Sequence, residues 1–139
     1  MAIAYLTRIV AFTATHRIAR ADWTEERNTA TFGRAAQDHA HHYECRVTVK
    51  GPLVADQGGV VSLVALDALL AREITERLED QHINQVLPEF ADGRQLATGE
   101  ALAVYLWGRL ADALPPGVRL HAIRVQEGSH LYSEYFGEA

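Results

Sequence analysis

Three histidines, His16, His39 and His41, are the residues of this chain best placed to do chemistry. Two of them lie in QDHAHHYECRVTVK at 37–50, where residues alternate as they do along a strand. That alternation puts His39, His41, Tyr43, Cys45, Val47 and Val49 on one face, and His42, Glu44, Arg46, Thr48 and Lys50 on the other. Two imidazoles spaced i, i+2 on the apolar face fit either a metal-binding pair or the commoner case of partly buried, hydrogen-bonded residues. The H-x-H spacing alone allows both. His16 ends a second alternating stretch, where Val10, Phe12 and Ala14 share its parity. Glu127 follows Ile123 and Val125 in the same way. A carboxylate there is either a strand-end residue in water or a buried acceptor with a partner, because unpaired burial is costly.

The elements that must position these residues follow from pattern. Tyr5–Ala14 is β-branched and aromatic and predicts a first strand, and His39–Lys50 predicts a second. Residues 17–36 lack clean periodicity and read as a connecting loop. Leu63, Leu66, Leu70, Ile74 and Leu78 then recur at helical spacing behind Ser62, a candidate N-cap. A second helix is predicted after Thr98, with Glu100 in its first turn and Leu102, Leu106, Leu110 and Leu114 as its buried stripe. Arg119–Glu127 alternates again, with His121, Ile123, Val125 and Glu127 on one face, and His130–Phe136 is a final strand. The order ββααββ is an α+β layout: two helices covering a four-stranded antiparallel sheet, in one domain over 1–139.

Composition bounds the partners. The chain has 139 residues, 48% hydrophobic and 22% charged, which is ordinary for a globular domain. Its formal net charge is −5 and it carries no long basic run, so neither nucleic acid nor an anionic membrane is expected as a main partner. A single cysteine, Cys45, excludes an intrachain disulfide and fits a reducing compartment. Arg8 interrupts the apolar N-terminal stretch, which reads as a strand rather than a signal peptide. The expected location is the cytoplasm.

Six short motifs, in order, carry a resemblance. F-T-A-T-H-R-I at 12–18 is similar to F-x-A-x-H-x-L, and E-E-R-N-T-A-T-F-G-R is similar to E-E-N-x-x-x-F-G-K. D-H-A-H-H-Y at 38–43 is similar to G-H-G-H-x-Y, followed by I-N at 83–84, T-G-E at 98–100 and V-Q-E at 125–127. Together they resemble the 6-pyruvoyltetrahydropterin synthase / 6-carboxytetrahydropterin synthase group of the tunnelling fold. The resemblance implies zinc held by His16, His39 and His41, leaving the fourth tetrahedral position open, as catalytic zinc sites do. It implies that Glu127 accepts hydrogen bonds from a pterin, with Thr98 beside the same pocket. It also implies a homohexamer in which three sheets close into a barrel, two barrels stack, and the sites lie between subunits.

Two departures stand out. Ala35 occupies the place of the usual cysteine base, and Cys45 lies roughly 13 Å beyond His41 at ~3.3 Å per residue. The group's Asp-His pair is replaced by Glu79 and Asp80, with His82 two residues on. Glu79, Asp80 and His82 are therefore the candidate replacements. The implied function is a zinc-dependent, lyase-type protein acting on a dihydropterin such as 7,8-dihydroneopterin triphosphate. The alternatives are an enzyme acting on a related heterocycle in a specialised pathway, and a non-catalytic zinc- or pterin-binding protein.

Overall fold

The computed structural model describes residues 2–139. Two long strands, β1 (Ile3–His16) and β2 (His39–Pro52), pair antiparallel from Ile3↔Pro52 to His16↔His39. β4 (Arg119–Glu127) pairs antiparallel with β2, and β5 (Leu131–Tyr135) with β4. The expected antiparallel set gains a fifth strand. Residues Gln81–His82 form β3, which runs parallel to β1 at Ala14 and Thr15 and makes the sheet mixed, in the order β3-β1-β2-β4-β5. A two-residue strand has no alternation to read, so nothing in the sequence pattern marks it.

The helical layer is also richer than two helices. α1 (Glu25–Phe32) lies within the stretch expected to be a loop. Its burial is slight, so it has no apolar stripe to betray it; local interactions hold it instead. The Thr24 side chain accepts from Arg27 N–H at 3.1 Å, and Glu25 and Glu26 sit at the positive end of the helix. Trp23 stacks on Phe32 at 5.8 Å with the Arg27 guanidinium 3.8 Å from the Trp23 ring. Gly33, at φ +63°, takes the chain out of the helix in a conformation that other residues resist.

The helix expected over 63–78 forms in three parts: α2 (Leu63–Leu70), a π-helical turn (Ala71–Thr75) and α3 (Glu76–Leu78). Leu66, Leu70, Ile74 and Leu78 are all buried, whereas Leu63 beside the Ser62 cap is exposed. A strict spacing of four runs ahead of the ~3.6-residue α turn, and the wider turn absorbs the difference. It also buries Glu73 against Arg109, whose Nε donates to it at 2.8 Å. α4 (Ile83–Val86) follows β3, and α5 (Gly99–Leu110) packs on β4 and β5 with Leu102, Leu106 and Leu110 buried. Leu114 is only partly buried.

The core lies between these helices and the sheet face bearing Phe12, Tyr43, Cys45, Val47, Ile123 and Val125. His121 does not belong to that face. A bulge between Thr48 and Val49 pairs Thr48 with Ala122 and Val49 with Leu120, so His121 is flipped out to sit 4.7 Å from the Tyr5 ring. No helix among the described residues is long and apolar enough to cross a membrane.

Asn28, the buried residue of α1, staples the chain after β1. Its Oδ1 accepts from Arg20 N–H at 2.8 Å and its Nδ2 donates to the Arg20 carbonyl at 2.9 Å. Asn28→Ala should therefore leave two backbone groups unpaired and lower stability by about 1–3 kcal/mol. The urea midpoint measures this; an unchanged midpoint would contradict the staple.

Candidate metal centre

Strand register assembles the centre. His16 pairs directly with His39, and His41 pairs with Ala14, so all three imidazoles leave the sheet on its helix-covered face. One ring nitrogen from each lies within 4.8 Å of those of the other two. Ring centroids are 4.5 Å apart for His16 and His39, 5.1 Å for His16 and His41, and 4.8 Å for His39 and His41.

Backbone carbonyls orient two of the rings. His16 Nδ1–H donates to the Ala97 carbonyl at 2.7 Å, and His39 Nδ1–H donates to the Gln37 carbonyl at 2.8 Å. A carbonyl can only accept, so in the neutral ring the proton sits on Nδ1 and the Nε2 lone pair is free, as in metal-ligating histidines. His16 Nε2 is buried and has no hydrogen-bond partner among the described residues. Asn84 secures the strand end: its side chain accepts from Arg17 N–H at 2.9 Å and donates to the Arg17 carbonyl at 3.1 Å.

Electrostatics favours neutral rings. Burial pushes the His16 pKa down to about 4, against the raising effect of the Ala97 hydrogen bond, with His39, His41 and His82 lowering it further. Burial and His39 also lower His41. Glu127, opposite Tyr43 in the β2–β4 ladder, brings Oε1 to 3.7 Å from His16 Nε2 and 3.9 Å from His41 Nε2. Burial raises the Glu127 pKa, with Glu100 adding to the rise and His39 opposing it. Free imidazole lone pairs and a buried carboxylate thus face one another, a donor set that fits a divalent metal ion.

A cavity of about 380 Å³ opens over this cluster, lined by His16, His39, His41 and Glu127 together with Ile18, Arg34, Ala35 and Leu131. The Ala35 position therefore does reach the histidines, but it presents only a methyl group. Thr98 caps α5, its hydroxyl accepting from Ala101 N–H at 3.1 Å. Gly99 beside it allows a close approach: a Cβ there would lie 2.5 Å from Glu127 Oε2 and 3.0 Å from Ser133 Oγ. Ser133 in turn donates to Glu100 at 3.1 Å.

Glu79, Asp80 and His82 lie away from the cavity lining, on the β1 edge of the sheet. Thr13 N–H approaches Glu79 Oε1 at 3.4 Å, and Asp80, with φ +58°, donates its N–H to the Thr13 carbonyl at 2.7 Å. His82 Nε2–H donates to Asp38 Oδ1 at 3.1 Å, and Arg17 also donates to that oxygen. Pattern alone assigns no role to Arg34, Gly99 or Asn84, although each lies within a quoted motif: Arg34 ends E-E-R-N-T-A-T-F-G-R, Gly99 is the centre of T-G-E, and Asn84 belongs to I-N.

Comparison with known proteins finds relatives that span nearly the whole chain. The family model described as 6-pyruvoyl tetrahydropterin synthase matches residues 5–138. The 6-pyruvoyl tetrahydrobiopterin synthase of Poecilia reticulata is 33% identical over 98% of this chain and 92% of its own length. The human protein of that name is 32% identical over 97% of this chain and 92% of its own length. The structure of Caenorhabditis elegans 6-pyruvoyl tetrahydropterin synthase superposes with a TM-score of 0.89 at 22% identity, covering 99% of this chain and 98% of that one. The chain belongs to the 6-pyruvoyl tetrahydropterin synthase family.

Cys45 stands apart from the site. It is fully buried in the sheet core, and burial pushes its thiol pKa up to about 12. Native protein treated with iodoacetamide should stay unlabelled by mass spectrometry and react only after denaturant is added. Rapid labelling of the native protein would contradict the buried position.

Proposed function

We propose that this protein is a zinc-dependent, lyase-type enzyme acting on a dihydropterin such as 7,8-dihydroneopterin triphosphate. The observation that carries this reading is the convergence of three imidazole nitrogens within 4.8 Å, beside the buried Glu127, in one cavity. His16, His39 and His41 would hold zinc. Bound there, zinc supplies a Lewis acid for oxygen atoms on the substrate side chain.

The protein's own residues supply binding and orientation. Ionised Glu127 accepts from the 2-amino and ring N–H groups of a pterin, two parallel charge-assisted hydrogen bonds that fix the plane of the ring. Burial raises its pKa, and a donor-rich ring favours the ionised form. Thr98, at the start of α5 next to Gly99, borders the same carboxylate. Ala35 brings no proton acceptor to the cavity, so the usual base is absent at this position. Because Glu79, Asp80 and His82 sit on the sheet edge, they would act in the cavity of an adjoining subunit, within a hexamer built from sheets closed into barrels. A cytoplasmic location fits the lone, buried cysteine.

A binding role without turnover, or action on a related heterocycle, is favoured by one observation. Apart from the three histidines and Glu127, no described cavity-lining side chain is a proton acceptor. Zinc-loaded protein incubated with 7,8-dihydroneopterin triphosphate separates these readings. Mass spectrometry should show slow conversion, about 10²–10⁴-fold below an enzyme with its base in place, abolished by a chelator. Light scattering of the same sample should give six chains per particle. Substrate bound but unchanged after long incubation would leave the binding role, and a monomer that turns over rapidly would contradict the assembly argument.

A further inference from the structure

The cavity over the histidines is polar at two places of opposite sign. Glu127 contributes a buried carboxylate, and Arg34 contributes an exposed guanidinium. The nearby arginines are already engaged. Arg17 pairs with Asp38 at 3.1 Å, and Arg20 pairs with Asp22 at 3.0 Å. Arg34 has no ion pair among the described residues, and it is the cation of the histidine cavity.

Its placement is fixed by the backbone. Arg34 belongs to the 3-10 turn Gly33–Ala36, whose Ala35 carbonyl accepts from Ile18 N–H at 2.7 Å and whose Arg34 carbonyl accepts from Gln37 N–H at 3.1 Å. Gln37 in turn orients His39. The guanidinium is therefore carried by the same short segment that aims one of the metal-site rings. Side-chain length and a planar fork of donors suit it to oxyanions, which it can hold through two parallel hydrogen bonds.

We propose that Arg34 is a specificity-determining residue that holds the anionic tail of the ligand, a phosphate or carboxylate group on the side chain of the heterocycle. This rests on the pterin reading above and extends it. Glu127 selects the donor edge of the ring, the histidine cluster faces the middle of the side chain, and Arg34 takes its charged end. A ligand with an uncharged side chain gains nothing from Arg34.

The test compares wild type, Arg34→Gln and Arg34→Lys, all zinc-loaded, by titration calorimetry with 7,8-dihydroneopterin triphosphate, its 6-carboxy analogue and uncharged 7,8-dihydroneopterin. Arg34→Gln should weaken the triphosphate about tenfold or more and leave the uncharged pterin within about twofold, while Arg34→Lys recovers part of the loss. Whichever anionic ligand loses more identifies phosphate or carboxylate as the preferred tail. Equal losses for charged and uncharged pterins, or no loss for either anion, would overturn the proposal. If wild type binds no pterin, the function proposed above fails on its own, and inorganic triphosphate then decides the role of Arg34. Loss of its binding in Arg34→Gln supports the anion site; unchanged or absent binding overturns it.

Discussion

The antiparallel register of β1 with β2 is the constraint on which everything else in this molecule depends. The pairing His16↔His39 places the last residue of one strand beside the first residue of the other. Because side chains alternate, that single pairing also sends His41 to the same face. A slip of one residue would turn His39 and His41 to the outer face and leave His16 alone among apolar neighbours. The slip is opposed along the whole ladder, since it would also expose Tyr43, Cys45, Val47 and Val49, each at most 1% accessible. The energy that fixes the site is thus the burial of the sheet core several residues away from it.

Burial then shapes the chemistry. Ala97 and Gln37 carbonyls hold protons on the Nδ1 atoms of His16 and His39, and the Asn84 side chain clamps the chain immediately after His16. Desolvation disfavours the charged form of each group, lowering His16 and His41 and raising Glu127. A cluster of lone pairs around one buried carboxylate is poorly satisfied by its own hydrogen bonds, and His16 Nε2 has no partner among the described residues. Such local dissatisfaction is tolerable because the rest of the core is apolar and closely packed, and a bound cation would relieve it.

Much of this was legible in the sequence because it rests on parity. His16, His39 and Glu127 each close or open an alternating run whose apolar face points at the core, and His41 shares the parity of His39, so their common side could be read from the pattern. Six ordered motifs made the family legible too. What escaped reading was whatever breaks period or has none. The bulge at Thr48/Val49 moved His121 off the face its alternation gave it, and β3 is too short to alternate. α1 is held by a cap, ring stacking and the Asn28 staple rather than by an apolar stripe, so the segment looked like a loop. The four-residue spacing from Leu66 to Leu78 does not by itself mark the π-helical turn, because Leu102, Leu106 and Leu110 keep the same spacing in the regular helix α5.

In the proposed function three imidazoles, and no thiolate, would hold the metal. X-ray absorption spectroscopy at the zinc edge of the loaded protein tests it most directly. The expected first shell is three nitrogen ligands and one oxygen, with Zn–N at about 2.0–2.1 Å and the outer-shell scattering of imidazole rings. A sulfur ligand at about 2.3 Å, or a shell of oxygen atoms without imidazole scattering, would contradict it.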